Sequence, residues 1–242
     1  METQRRLLFL SVAGIIVVLA AMFLVGRYIV VRTVQPAVVR AITESSREPG
    51  PVSDREVPNG KFESVNVQGG WDVSIVQAPT ESVRVQSPSA LSADVIAEVH
   101  QGQLTLGLRN GAIMNSERLT AQVQTPDLQR VTVRGGSRIR ISGFSLPELA
   151  IDIAGAGDIE GVGNVLDRLS VQGAGASRID FSSSRIKNAR VNLDGAGSVD
   201  LGMEGGTLSG SLNGIGTINY SGTVSAENVK ISGLGSVRQT GK

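Results

Sequence analysis

One short phrase returns again and again between residues 131 and 239, and that recurrence restricts the chain to architectures in which like segments lie against like. It reads Val133-Arg-Gly-Gly-Ser-Arg-Ile139, Ile153-Ala-Gly-Ala-Gly-Asp-Ile159 and Val171-Gln-Gly-Ala-Gly-Ala-Ser-Arg-Ile179. It continues as Leu193-Asp-Gly-Ala-Gly-Ser-Val199, Leu212-Asn-Gly-Ile-Gly-Thr-Ile218 and Ile231-Ser-Gly-Leu-Gly-Ser-Val237. The phrase opens at 133, 153, 171, 193, 212 and 231, in steps of 20, 18, 22, 19 and 19.

Around each phrase the apolar residues alternate, as in Val131/Val133 with Ile139/Ile141 and Val191/Leu193 with Val199/Leu201. Period-two alternation puts one side of a strand in the core and the other in water. Glycine supplies the backbone angles of a sharp corner between two such strands, and Ser, Thr or Asp after it bonds the local backbone. The candidate corners are Gly155, Gly157, Gly173, Gly175, Gly195, Gly197, Gly214, Gly216, Gly233 and Gly235. A second break follows near Ser142-Gly143, Gly161, Ser182-Ser183, Gly202 and Ser221-Gly222, and a third strand begins near Leu146, Leu166, Ile186 or Val224. Three short strands per repeat of about 20 residues predict an all-β chain wound as a right-handed parallel β-helix, or solenoid, over 60–242. The competing layout is an antiparallel sandwich, but its turns need not repeat one phrase.

Upstream, Leu7–Gly26 holds 20 residues without a charge, enough to cross a bilayer as one helix. The tract exceeds the apolar core of a cleaved signal peptide, and no convincing small-x-small cleavage site follows it. The expectation is a retained signal anchor over 1–32, single-pass in the cell membrane, with the bulk of the chain outside the cytoplasm in the periplasm. Arg27, Arg32 and Arg40 just after the span pull against that orientation, although long domains translocate largely regardless of flanking charge. Residues 33–59 carry Pro36, Pro49, Pro51 and Pro58 and read as an extended tether. Val67-Gln-Gly-Gly-Trp-Asp-Val73 matches the length of the Val133 phrase and reads as a first, degenerate repeat. Val95–Val99 and Leu104–Leu108 flank His100-Gln-Gly-Gln103 and predict a β-hairpin. Arg238-Gln-Thr-Gly-Lys242 offers polar cover for the last repeat.

The chemistry on offer is sparse. A net charge of +1, without a basic run interleaved with aromatics, argues against a nucleic-acid partner. The absence of cysteine excludes disulfides, thiol catalysis and an N-terminal lipid-bearing cysteine. His100 is the one histidine, and no motif places a Ser or carboxylate beside it. The Gly-x-Gly phrase is followed by a strand, so it is not a dinucleotide fingerprint, which needs a helix there. Short loops and few aromatics leave no wall for the groove of a polysaccharide-cleaving enzyme. No catalytic residue, cofactor or metal site is therefore assigned. A weak candidate for a cation row remains. If repeats stack in register, Arg140, Glu160, Asp180, Asp200, Asn219 and Arg238 share one row, with three carboxylates about 4.8 Å apart. The adjacent row of Arg138, Asp158 and Arg178 alternates in sign, which is the blander explanation.

Asp194-Gly-Ala-Gly-Ser-Val-Asp-Leu201, Ser232-Gly-Leu-Gly-Ser-Val237 and the opening Phe62-Glu-Ser-Val-Asn-Val67 resemble the auto-transporter adhesin "head GIN" domain family. The resemblance runs over Gly60–Gly241 and implies an extracytoplasmic β-helix with no catalytic or binding residues to carry over. The retained anchor departs from a freely secreted adhesin. The functional expectation is a non-catalytic, membrane-anchored interaction module of the cell envelope, held through Leu7–Gly26, with an envelope protein or a glycan as partner. A structural or regulatory envelope protein that self-associates is the alternative.

Overall fold

The computed structural model of the chain describes residues 52–57, 60–109 and 119–241. One compact unit spans Pro51–Lys242. Its described residues form strands β1 (Val52–Glu56), β2 (Ser64–Gln68), β3 (Trp71–Gln77), β4 (Ser82–Pro88), β5 (Val95–His100) and β6 (Gln103–Leu108). These are followed by β7 (Leu119–Thr125), β8 (Arg130–Ser142), β9 (Ser145–Glu204), β10 (Thr207–Thr223) and β11 (Ala226–Gln239). All belong to one sheet. A single sheet has no second layer to cover it, yet Val131, Val133, Ile139 and Ile141 are fully buried. The sheet therefore curls over its own apolar side, and the period-two alternation supplies that side along its length.

The repeats lie parallel and in register. Gly135 pairs with Gly155, Gly195 with Gly214, and Gly214 with Gly233. A Cβ built on Gly175 meets the Gly155 carbonyl oxygen, and one on Gly195 meets that of Gly175. The true steps from Gly135 are thus 20, 20, 20, 19 and 19. The steps of 18 and 22 read from the sequence arise because Val171 was aligned with Ile153. In the structure Gly173 takes that inward position, and the Leu193 side chain fills the space its missing Cβ leaves, 2.8 Å from where that atom would sit.

The expected right-handed parallel β-helix over 60–242 is corrected by this sheet, which is mixed. β2 and β3 pair in parallel with β8, and β6 and β7 add in parallel outside them. Beyond these, β5 runs antiparallel to β6, β4 antiparallel to β7, and β1 antiparallel to β4. The physical reason lies in residues 82–109, which lack the Gly-x-Gly phrase. Gln101 and Gly102 both take positive φ, +48° and +76°, and close β5 and β6 as a tight hairpin around His100–Gln103. Nor do the strands end at the glycine corners. Gly155, Gly175, Gly195, Gly214 and Gly233 hold φ between +115° and +132°, and the ladder bends through them, so that β9 runs 60 residues unbroken. Their partners Gly157, Gly173, Gly197, Gly216 and Gly235 do not take positive φ.

The single-pass membrane placement finds no helix to carry it among the described residues. Leu7–Gly26 lies outside the described residues, and among these no helix is long and apolar enough to cross a membrane. Ser89–Leu91 forms a three-residue 3-10 turn. Strand β1 begins inside the stretch read as a tether and adds to the sheet beside β4.

One polar cluster is built into the apolar interior. Asn164, 1% exposed, accepts a hydrogen bond from the Phe144 amide at 3.1 Å and donates to the Ile141 carbonyl at 3.0 Å. Its amide group also reaches Ser184 Oγ at 3.2 Å, and that hydroxyl donates to the Gly161 carbonyl. These bonds serve backbone groups where the chain turns between β8 and β9 and in the repeats that follow. Asn164→Leu strands a buried donor and a buried acceptor, so it is expected to lower unfolding free energy by about 2–4 kcal/mol. Urea denaturation checks this; a midpoint within error of the native protein contradicts it.

Candidate interaction surface

Two shallow grooves run across successive repeats. The first lies outside the glycine corners, has a volume of about 710 Å³ and is floored by Ala156, Ala176 and Ala196 between Gly136 and Ser198. Small residues floor it because the chain bends tightly there. Arg138 and Arg178 line its rim with Asp158, and Arg138 Nε donates to Asp158 Oδ2 at 3.2 Å.

The second groove, about 680 Å³, crosses the third segment of the repeats. Here Pro147-Glu148, Asp167-Arg168 and Lys187-Asn188 follow one another at 20-residue intervals, each pair just before an inward Leu149, Leu169 or Ala189. Buried neighbours on both sides of each pair fix its backbone and turn its two side chains outward. Arg130, Arg168 and Lys187 line the groove against Asp127, Glu148 and Asp167, so its formal charges balance. Arg168 donates to Glu148 at 3.3 Å, and Arg130 pairs with Asp152 beside the groove. Asn188 is fixed from two sides: its Nδ2 donates to the Asp167 carbonyl at 3.2 Å and its Oδ1 accepts from the Thr207 amide at 3.1 Å. The Asp167 carboxylate and the Lys187 ammonium enter no ion pair with a described residue. The recurring phrase centres on the glycine corners and does not contain these pairs; only the register of 20 aligns them.

The residues of the suggested cation row do share a row, and each carboxylate has an occupation. Arg140 pairs with Glu160 at 2.6 Å, and Asn219 donates to Asp200 at 2.8 Å. The Ser182 hydroxyl and amide donate to Asp180, and they hold its carboxyl below the usual range against a smaller upward push from burial. Among the described residues no three His, Cys, Asp or Glu side chains group as metal ligands. His100 sits exposed at the β5–β6 hairpin, two strands across from Ser64 of the polar groove, and does not line it.

In the search of solved structures, the fold resembles a "putative adhesin" from Bacteroides fragilis with a TM-score of 0.65 at 14% identity, covering 81% of this chain and all of that one. It also resembles a "putative adhesin" from Parabacteroides merdae, with a TM-score of 0.53 at 14% identity over 79% of this chain and 97% of the other. A third, from Parabacteroides distasonis, gives 0.50 at 15% identity over 79% and 98%. At such identity the likeness is one of fold. No curated protein matches the chain. The sequence profile described as "Putative auto-transporter adhesin, head GIN domain" matches residues 61–202, well over half of the chain, from the opening Phe62 phrase through the Asp194–Leu201 phrase. The chain belongs to the head GIN domain family.

Proposed function

We propose that the chain is a non-catalytic, adhesin-like binding module and that its second groove holds a neutral, hydroxyl-rich polymer, a glycan. The observation that carries this reading is the charge-balanced row of Glu148, Asp167, Arg168, Lys187 and Asn188, presented from successive repeats. Strands about 4.8 Å apart offer an extended ligand a regular series of donors and acceptors. Sugar hydroxyls both donate and accept, so Asp167 and Lys187, which lack described ion-pair partners, suit them as a pair. A polyanion gains little here, because three carboxylates offset the three cations that line the groove. The groove is open and has no aromatic lining residue on which a sugar ring could stack. A single site therefore binds weakly, with Kd on the order of 1 mM, and tight attachment requires many contacts along one polymer.

Calorimetric titration of the purified chain with neutral and polyanionic glycans tests the reading. Replacing both Asp167 and Lys187 by alanine is expected to weaken neutral-glycan binding at least about tenfold, a loss near 1.4 kcal/mol. Undiminished binding by the double variant, or a preference for polyanions, overturns it.

A further inference from the structure

Burial along the inward rows fails abruptly at the last repeat. Val133, Ile153, Leu193 and Leu212 are 0–3% exposed, whereas Ile231, next in that row, is 44% exposed. Its neighbours Val229 and Val237 take inward positions too and are only half-buried. Leu234 stands 75% exposed beside Ile215 at 61%. Among the described residues β11 pairs with β10 alone, so one whole side of a 14-residue strand is left without a ladder partner. A long, apolar, unpaired edge is a template for another strand. The expected polar cover from Arg238 onward does not reach it: Gln239 bonds back to the Gly222 carbonyl and Thr240 to that of Tyr220.

We propose that two copies of the chain join end to end by pairing β11 with β11 antiparallel about a two-fold axis. Three observations select a second copy in this arrangement. First, the other free edges of the sheet, β1 and β5, have 5 and 6 residues and cannot match a strand of 14. A head-to-tail stack is therefore mismatched, and the self-complementary pairing matches in length by symmetry. Second, antiparallel pairing keeps the apolar sides of both copies on one side of the joined sheet, where Val229, Ile231 and Val237 continue the two cores into each other. Parallel pairing of the same two edges turns one core outward. Third, it sets the Glu227 end of one strand against the Arg238 end of the other, and Arg238 has no ion pair among the described residues. With a formal charge of +1 each, two copies repel little.

The chain lacks cysteine, so single thiols report the geometry cleanly. Light scattering on the full chain over a concentration series is expected to give twice the 25.3 kDa chain mass, and Ile231→Asp with Leu234→Asp to return it to one chain. Mixing E227C with R238C under mild oxidation is expected to yield a disulfide-linked dimer, while each alone does not. That readout needs no disruptive substitution, so a misfolded aspartate variant does not blunt it. A monomer at every concentration overturns the proposal, as does E227C linking to itself. So does a monomer whose β11 amides are protected from exchange, because another segment of the chain then covers the edge.

Discussion

Gly195→Val is expected to be among the most damaging single substitutions in the repeats. Gly195 holds φ at +131°, and a Cβ there lies 2.3 Å from the Gly175 carbonyl oxygen. Two costs add. An L side chain at that φ stores about 1–3 kcal/mol of backbone strain. The contact is with backbone of the repeat below, which cannot swing aside as a flexible side chain does. The joint loss is about 3 kcal/mol or more, against the 5–15 kcal/mol that holds a typical domain folded. Gly143→Ala separates the two terms: Gly143 also has positive φ, +78°, but nothing stands within 4 Å of its Cβ position. It should cost about 1 kcal/mol, near the price of the conformation alone. Thermal midpoints measure both, with drops of about 6–12 °C for Gly195→Val and 2–4 °C for Gly143→Ala. Equal drops would show that close stacking of the repeats adds nothing.

That comparison also marks what the sequence could and could not disclose. Alternation at Val131/Val133 and Ile139/Ile141 located strands and their buried side, because burial on a pleated surface writes directly into hydropathy. The hairpin at His100–Gln103 was legible for a similar local reason, a two-residue turn rich in positive φ. Register was harder. Gly173 carries no apolar side chain, so the phrase seemed to open at Val171; only the neighbouring Leu193, reaching across repeats, shows that the inward position is occupied. The antiparallel strands β1, β4 and β5 follow no repeat, and their pairing depends on which edges are left free, a property of the assembled sheet. The polar groove lay between these cases. Its residues recur at 20, yet the recurrence is of polarity and not of identity, with Glu148, Arg168 and Asn188 in one row.

Exchange of volume between adjacent repeats leads to a paired prediction. Inward positions 141, 161, 181 and 201 hold Ile, Gly, Phe and Leu, a row in which the smallest residue lies next to the largest. Phe181 is fully buried, and a Cβ on Gly161 would sit 2.2 Å from its Cδ1. The ring of one repeat thus occupies the volume that the repeat below leaves vacant. Phe181→Ala removes that filling and is expected to cost about 3–5 kcal/mol, the range for emptying a buried aromatic site. Gly161→Ala alone forces the ring to move and costs about 1–3 kcal/mol through overpacking. Combined, the two are not additive, because once the ring is gone the new methyl group fills part of the cavity. The coupling energy should favour the double variant by at least about 1 kcal/mol, measured by urea unfolding of all four proteins in a double-mutant cycle. Additive losses would mean that the two positions do not share one volume, and that Gly161 is required by its backbone and not by Phe181.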